Sequence, residues 1–111
     1  MKENSLYDRK SLRTVLGKTA DFNELAKDCV AFSNAEGGVI DIGIEDKDTL
    51  PPEGQTIPDG LTTTIVNKIS GLTNAVTVAA DVCIADNNAE YIRLNVLRSS
   101  NAVSVTSSGK I

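Results

Sequence analysis

The stretch Val30-Ala31-Phe32-Ser33-Asn34-Ala35-Glu36-Gly37-Gly38-Val39-Ile40-Asp41-Ile42-Gly43-Ile44-Glu45-Asp46 decides how this chain folds. It closes a helical rhythm, passes through two glycines and opens a strand. Upstream, Phe22, Leu25, Ala26, Cys29, Val30 and Phe32 or Ser33 recur at the i, i+3, i+4, i+7 spacing of an amphipathic helix over 21–34. Asp21, with Glu24 three residues on, has the form of a capping box, and Thr19 is a rival cap. Asn34 to Gly38 stops the helix, because glycine supplies the positive φ that helix ends favour. Over 39–45, Ile40, Ile42 and Ile44 share one face of a strand, while Val39, Asp41, Gly43 and Glu45 share the other. Asp41 lies mid-strand, where an unpaired buried carboxylate is costly. Its face is therefore expected to be open to solvent, paired with a cation, or at an interface.

Working outward, the acidic loop 46–58 contains Pro51, Pro52 and Pro58 and continues neither helix nor strand. A second helix is expected over about 60–71, with Pro58 and Asp59 at its start and Leu61, Ile65, Ile69 and Leu72 along one side. Two alternating runs follow. Val76, Val78, Ala80, Val82 and Ile84 share one face, and beyond the turn Ala85-Asp86-Asn87-Asn88-Ala89 so do Ile92, Leu94 and Val96. Alternation across a short polar turn reads as a hairpin. The Ser- and Asn-rich segment 98–111 allows one short edge strand around Val103 and Val105. The expected class is α/β (α+β), a two-layer sandwich of order β-α-β-α-β-β with a mixed sheet and two helices.

With 111 residues, 41% hydrophobic and 23% charged, the chain suits one globular domain with one core. Its aromatic residues are Tyr7, Phe22, Phe32 and Tyr91, so the core must be aliphatic. The absence of histidine excludes a histidine general base, a Ser-His-Asp triad and a His-ligated zinc within this chain. Cys29 and Cys83 form no CxxC pair, which leaves neither a zinc knuckle nor a thioredoxin-type motif, and both read as buried free thiols. The first ten residues are polar, no signal peptide is read, and no apolar run approaches the ~20 residues of a membrane span. A cytoplasmic location is the expectation. The net charge of −4 weighs against a compact nucleic-acid binder. The charge is segregated, however: residues 1–18 carry five cations against two acids, and residues 21–59 carry ten acids against two lysines.

The string Val30 to Asp46, with A-F-x-N-x-x-G-G followed by a strand and G-[IV]-x-D, resembles the signature of the Schlafen AlbA-like family. Two weaker matches flank it. Glu3 and Asp8 keep the spacing of the family's E-x4-E-F-K opening, with Asp in place of the second Glu and Arg9 in place of the aromatic. Gly109-Lys110-Ile111 begins the family's G-K-x-Y-x-R ending. The resemblance implies an Alba-like fold over residues 1–111. It also implies a DNA-binding role as the N-terminal module of a longer, bacterial transcriptional-regulator-like protein, with a C-terminal domain beyond Ile111. Relatives with nuclease activity use three acidic positions, which fall here on Glu3, Asp8 and Asp46.

For nucleic-acid binding, the candidate phosphate contacts are Arg9, Lys10, Arg13 and Lys18, with Lys2, Arg93 and Arg98 as further cations. Gly37 and Gly38 add backbone N–H groups that a phosphate can approach; the competing reading is that they only end the helix. The second reading is a divalent-metal-dependent nuclease, in which Glu3, Asp8 and Asp46 hold Mg²⁺ or Mn²⁺, near Asp41 and Glu45. Asp8 is one methylene shorter than the family's Glu. No cofactor is expected outside that reading, and catalysis ranks below binding. The third reading is a protein-interaction or dimerisation module, with a homodimer as its simplest form.

Overall fold

The computed structural model describes residues 6–99 and 105–106. It begins with β1 (Leu6–Lys10) and a single 3-10 turn at Leu12–Thr14. Then come α1 (Phe22–Asn34), β2 (Gly38–Ile42), α2 (Leu61–Leu72), β3 (Thr73–Asn74), β4 (Val78–Ile84), β5 (Glu90–Val96) and β6 (Val105–Thr106). The main sheet runs in the order β1-β2-β5-β4. β1 pairs parallel with β2, which pairs antiparallel with β5, and β4 and β5 form the expected hairpin. β3 and β6 pair separately as a two-residue ladder; β6 begins at Val105, within the short edge strand expected around Val103 and Val105, Val103 itself lying outside the described residues, whereas no alternation marks β3. This is the expected α+β class, with two helices and a mixed sheet.

Both helices pack on one face of the sheet. Leu25 and Cys29 of α1 and Ile65 and Ile69 of α2 meet Ile40, Ile42, Ile92 and Leu94 of the strands, all fully buried. Each such aliphatic side chain contributes roughly 1.5–3 kcal/mol on burial, so this layer dominates the fold's stability. Asp21 caps α1 by accepting from the Glu24 N–H at 3.1 Å, while its own N–H donates to Thr14 O. α2 starts after Gly60, whose φ of +83° lies in the left-handed region. β2 ends earlier than its alternation suggests. Gly43 has φ +110°, a conformation that turns the chain, and Ile44 leaves the Ile40–Ile42 cluster for the opposite face. Alternation also places Val82 and Ile84 on the helix-covered face. Yet they are 47% and 69% exposed: neither joins the core beneath the helices, and Ile84, at the strand end, lines a cleft on the opposite face.

The loop between β2 and α2 is fastened along its second half. Gln55 Nε2 donates to Gly43 O and to Glu90 O, Asn87 Nδ2 donates to Pro51 O, and Ile57 N–H donates to the Glu90 carboxylate. Its first half, 46–50, is exposed and folds on a local Asp48 N–H to Glu45 O bond.

Candidate functional site

Side chains alternate across β1, so the adjacent cations Arg9 and Lys10 stand on opposite faces of the sheet. Lys10 faces α1, 2.6 Å from Asp28 and 3.4 Å from Asp8. Burial alone lowers its pKa, but the two carboxylates outweigh that and leave it raised. Its charge is therefore largely neutralised from within. Arg9 stands on the uncovered face, its guanidinium 5.3 Å from the Tyr7 ring centroid. Arg13 is exposed and meets Glu45 at a loose 3.5 Å, and Lys18 is exposed. Of the further cations, Arg98 meets Glu36 at 3.7 Å, and Lys2 lies outside the described residues. Lys10 and Arg13 line a shallow hollow of about 340 Å³ with Ser11, Thr14 and Thr19, closed on one side by Asp21 and Glu24.

Gly37 and Gly38 lie at the other end of β1, beside Leu6. The Gly37 N–H already donates to Phe32 O at 2.8 Å, and its φ is +77°. A Cβ on Gly37 would come within 2.7 Å of Val96 O. One on Gly38 would press into the Leu6 carbonyl oxygen and come within 2.8 Å of Phe32 Cδ2. The glycine pair thus lets helix, β1 and β5 close around one turn.

Asp8 accepts from the Arg9 N–H at 2.8 Å and faces Lys10, Asp46 is exposed after β2, and Glu3 lies outside the described residues. Among the described residues no group of three or more His, Cys, Asp or Glu side chains is placed to hold a metal ion. The set Glu3, Asp8 and Asp46 is therefore incomplete among the described residues.

The uncovered face carries an arrangement that local sequence did not reveal. Asp41, 2% exposed, accepts from Arg93 Nε at 2.9 Å and Nη2 at 3.0 Å, and from the Tyr7 hydroxyl at 2.7 Å. Of the alternatives for Asp41, pairing with a cation is the one realised, as a two-pronged charge-assisted bond of the strong kind. Arg93, more than half covered, has its pKa raised by that bond. Burial and then the Asp41 contact raise that of Tyr7. The Arg93 guanidinium lies 5.8 Å from the Tyr91 ring centroid, and burial raises the pKa of Tyr91 despite this cation. These groups, with Ile44, Leu50 and Ile84, line a cleft of about 280 Å³. The signal that could have found it is the repeated Tyr-x-Arg spacing, Tyr7-Asp8-Arg9 and Tyr91-Ile92-Arg93. Cys83, expected to be buried, is only half-buried, because it sits beside Tyr91 on this face; Cys29 is fully buried.

The element order and the glycine hinge between α1 and β2 define a helix-on-sheet domain of the α+β class, with no helix on the second sheet face among the described residues. The chain belongs to the Schlafen AlbA_2 family, whose family model matches residues 3–111. No curated protein matches the chain. Family membership supports a nucleic-acid-related role. No helix among the described residues is long and apolar enough to cross a membrane.

Proposed function

We propose that the domain binds nucleic acid, DNA in the first instance, as the N-terminal module of a longer, cytoplasmic, bacterial transcriptional-regulator-like protein. The observation that carries this reading is the hollow between β1 and α1. Beside Asp21 and Glu24 it gathers Arg13 and the hydroxyls of Ser11, Thr14 and Thr19, groups that contact phosphate and sugar oxygens. Arg13 and Lys18 are the direct contacts. The exposed Arg13–Glu45 pair is worth only about 0–1 kcal/mol, so a phosphate displaces it at little cost. Lys10, already neutralised by Asp28 and Asp8, contributes shape rather than charge. Gly37 and Gly38 stand at the Leu6 end of β1, apart from the hollow, and serve the fold there. Two copies in a homodimer would set two such hollows on one duplex.

The test is fluorescence anisotropy with labelled duplex DNA and structured RNA, titrated from low to physiological salt, with Mn²⁺ in a parallel series and products run on a gel. Affinity should fall steeply with salt. Arg13→Glu and Lys18→Glu should each weaken binding across all sequences and reduce the salt slope by about one. Absence of binding at low salt would overturn the proposal. Cleavage abolished by Asp46→Ala would replace it with the metal-dependent nuclease.

A further inference from the structure

We propose that the cleft on the open sheet face receives an unstacked base of single-stranded nucleic acid. This rests on the nucleic-acid reading above but uses a different surface. The chain contains two tyrosines and no tryptophan, and both tyrosines line this one cleft. Each is followed two residues later, on the same strand face, by an arginine whose guanidinium lies 5.3 or 5.8 Å from the ring. Because β1 and β5 flank β2, with Arg9 and Arg93 both in register with Asp41, the two Tyr-Arg pairs stand on either side of that buried carboxylate. Asp41 binds one member of each pair, the Tyr7 hydroxyl and the Arg93 guanidinium, and so fixes both before any ligand arrives.

The chemistry of the lining selects the ligand class. Asp41 and Asp86 line the cleft with Arg93, and Arg9 stands beside Tyr7 at its edge, so two carboxylates balance two guanidiniums and a bare phosphate gains no net attraction there. A neutral aromatic ring does. Rings and guanidinium planes are the surfaces on which unpaired bases stack. Tyr7 is half exposed and the Arg93 side chain is 43% exposed. The Arg93 Nη1 takes no part in the fork to Asp41, which leaves a donor for a base carbonyl. Leu50 and Ile84, 41% and 69% exposed, form apolar walls. The volume, about 280 Å³, falls just below the roughly 300–1,000 Å³ of sites for larger ligands, which suits one ring system. A duplex keeps its base faces stacked inside and cannot offer one, so the cleft distinguishes single strands from duplexes.

The intrinsic emission of this chain comes from the two cleft tyrosines, so it reports directly on the site. The chain is titrated with a short oligothymidylate and, separately, with a duplex, following tyrosine emission and the anisotropy of the labelled strands. The single strand should quench the emission. Tyr91→Ala should lower single-strand affinity by about 5- to 150-fold, the worth of one stacked base, and leave duplex affinity and the salt slope unchanged. Tyr91→Phe should restore single-strand binding. Leu50→Glu, at the exposed rim, keeps the test open if Tyr91→Ala fails to fold, and it too should weaken single-strand binding selectively. Duplex and single strand bound alike, with no quenching and no effect of either variant, would overturn the cleft proposal while leaving phosphate binding intact. Failure to bind any nucleic acid at low salt would overturn both.

Discussion

Removing Arg93 should destabilise the domain more than removing Asp41, although the two make one ion pair. Asp41 is 2% exposed and the Arg93 side chain 43%. Arg93→Met therefore leaves a buried carboxylate with only the Tyr7 hydroxyl as a side-chain partner. Breaking a buried pair from one side typically costs about 3–5 kcal/mol, and the water that reaches Arg93 places this site near the lower end. Asp41→Asn leaves instead an arginine that can turn to solvent, at a cost of about 1–2 kcal/mol for the weakened charged hydrogen bonds. The paired change Asp41→Leu with Arg93→Met removes both charges and should cost less than Arg93→Met alone. Against a total stability of roughly 5–15 kcal/mol these differences are large. Urea unfolding followed by far-ultraviolet circular dichroism at neutral pH measures all three. Equal losses for Arg93→Met and Asp41→Asn, or a double variant as unstable as the sum of single losses, would refute the reasoning that burial of Asp41 sets the asymmetry.

Gly38→Ala should destabilise by about 1–3 kcal/mol, because the new methyl meets the β1 backbone at Leu6, and the thermal midpoint should fall accordingly; an unchanged midpoint would contradict the close packing described. Asp21→Ala removes the α1 cap and should cost about 1 kcal/mol in the same assay. Burial, reinforced by Asp28, pushes the Cys29 thiol from its ordinary 9.0 up to about 12. The unfolded chain then ionises first, so the contribution of Cys29 is intact below pH 9 and is lost as pH rises toward 12, by at most about 1.4 kcal/mol per pH unit. Urea midpoints should fall more steeply above pH 9 in the native chain than in Cys29→Ala, and parallel curves would sink the point. In thiol labelling at neutral pH, Cys83 should react ahead of Cys29, which should wait for unfolding.

The two helices were legible because their apolar spacing is local: Leu25, Cys29 and Phe32, then Leu61, Ile65 and Ile69, mark their buried faces without reference to anything distant. Alternation identified the hairpin, but it reports only which side a residue takes and not what lies above it. Val82 and Ile84 show the difference, since neither joins the core beneath the helices and Ile84 ends at the open-face cleft. The end of β2 was missed because Gly43 is held at positive φ by a loop that returns from Gln55, twelve residues later. Arg9-Lys10 reads in one dimension as a basic patch. On a strand the pair is divided, and Lys10 is claimed by Asp28 from the next helix. The cleft was the least legible feature, because Asp41 and Arg93 are 52 residues apart and meet only when β2 pairs with β5.

The uneven fastening of the β2–α2 loop has a consequence for how the domain can diversify. From Pro51 onward the loop is sewn to the hairpin turn and to β5, so insertions there would disturb the sheet. Residues 46–50 carry no comparable stitch, yet Thr49 and Leu50 form part of the cleft wall. Changes in length or sequence in this short span can reshape the mouth of the cleft while the hydrophobic layer beneath it stays untouched. The fold thereby separates the residues under pressure to keep the chain folded from those free to drift with whatever it contacts.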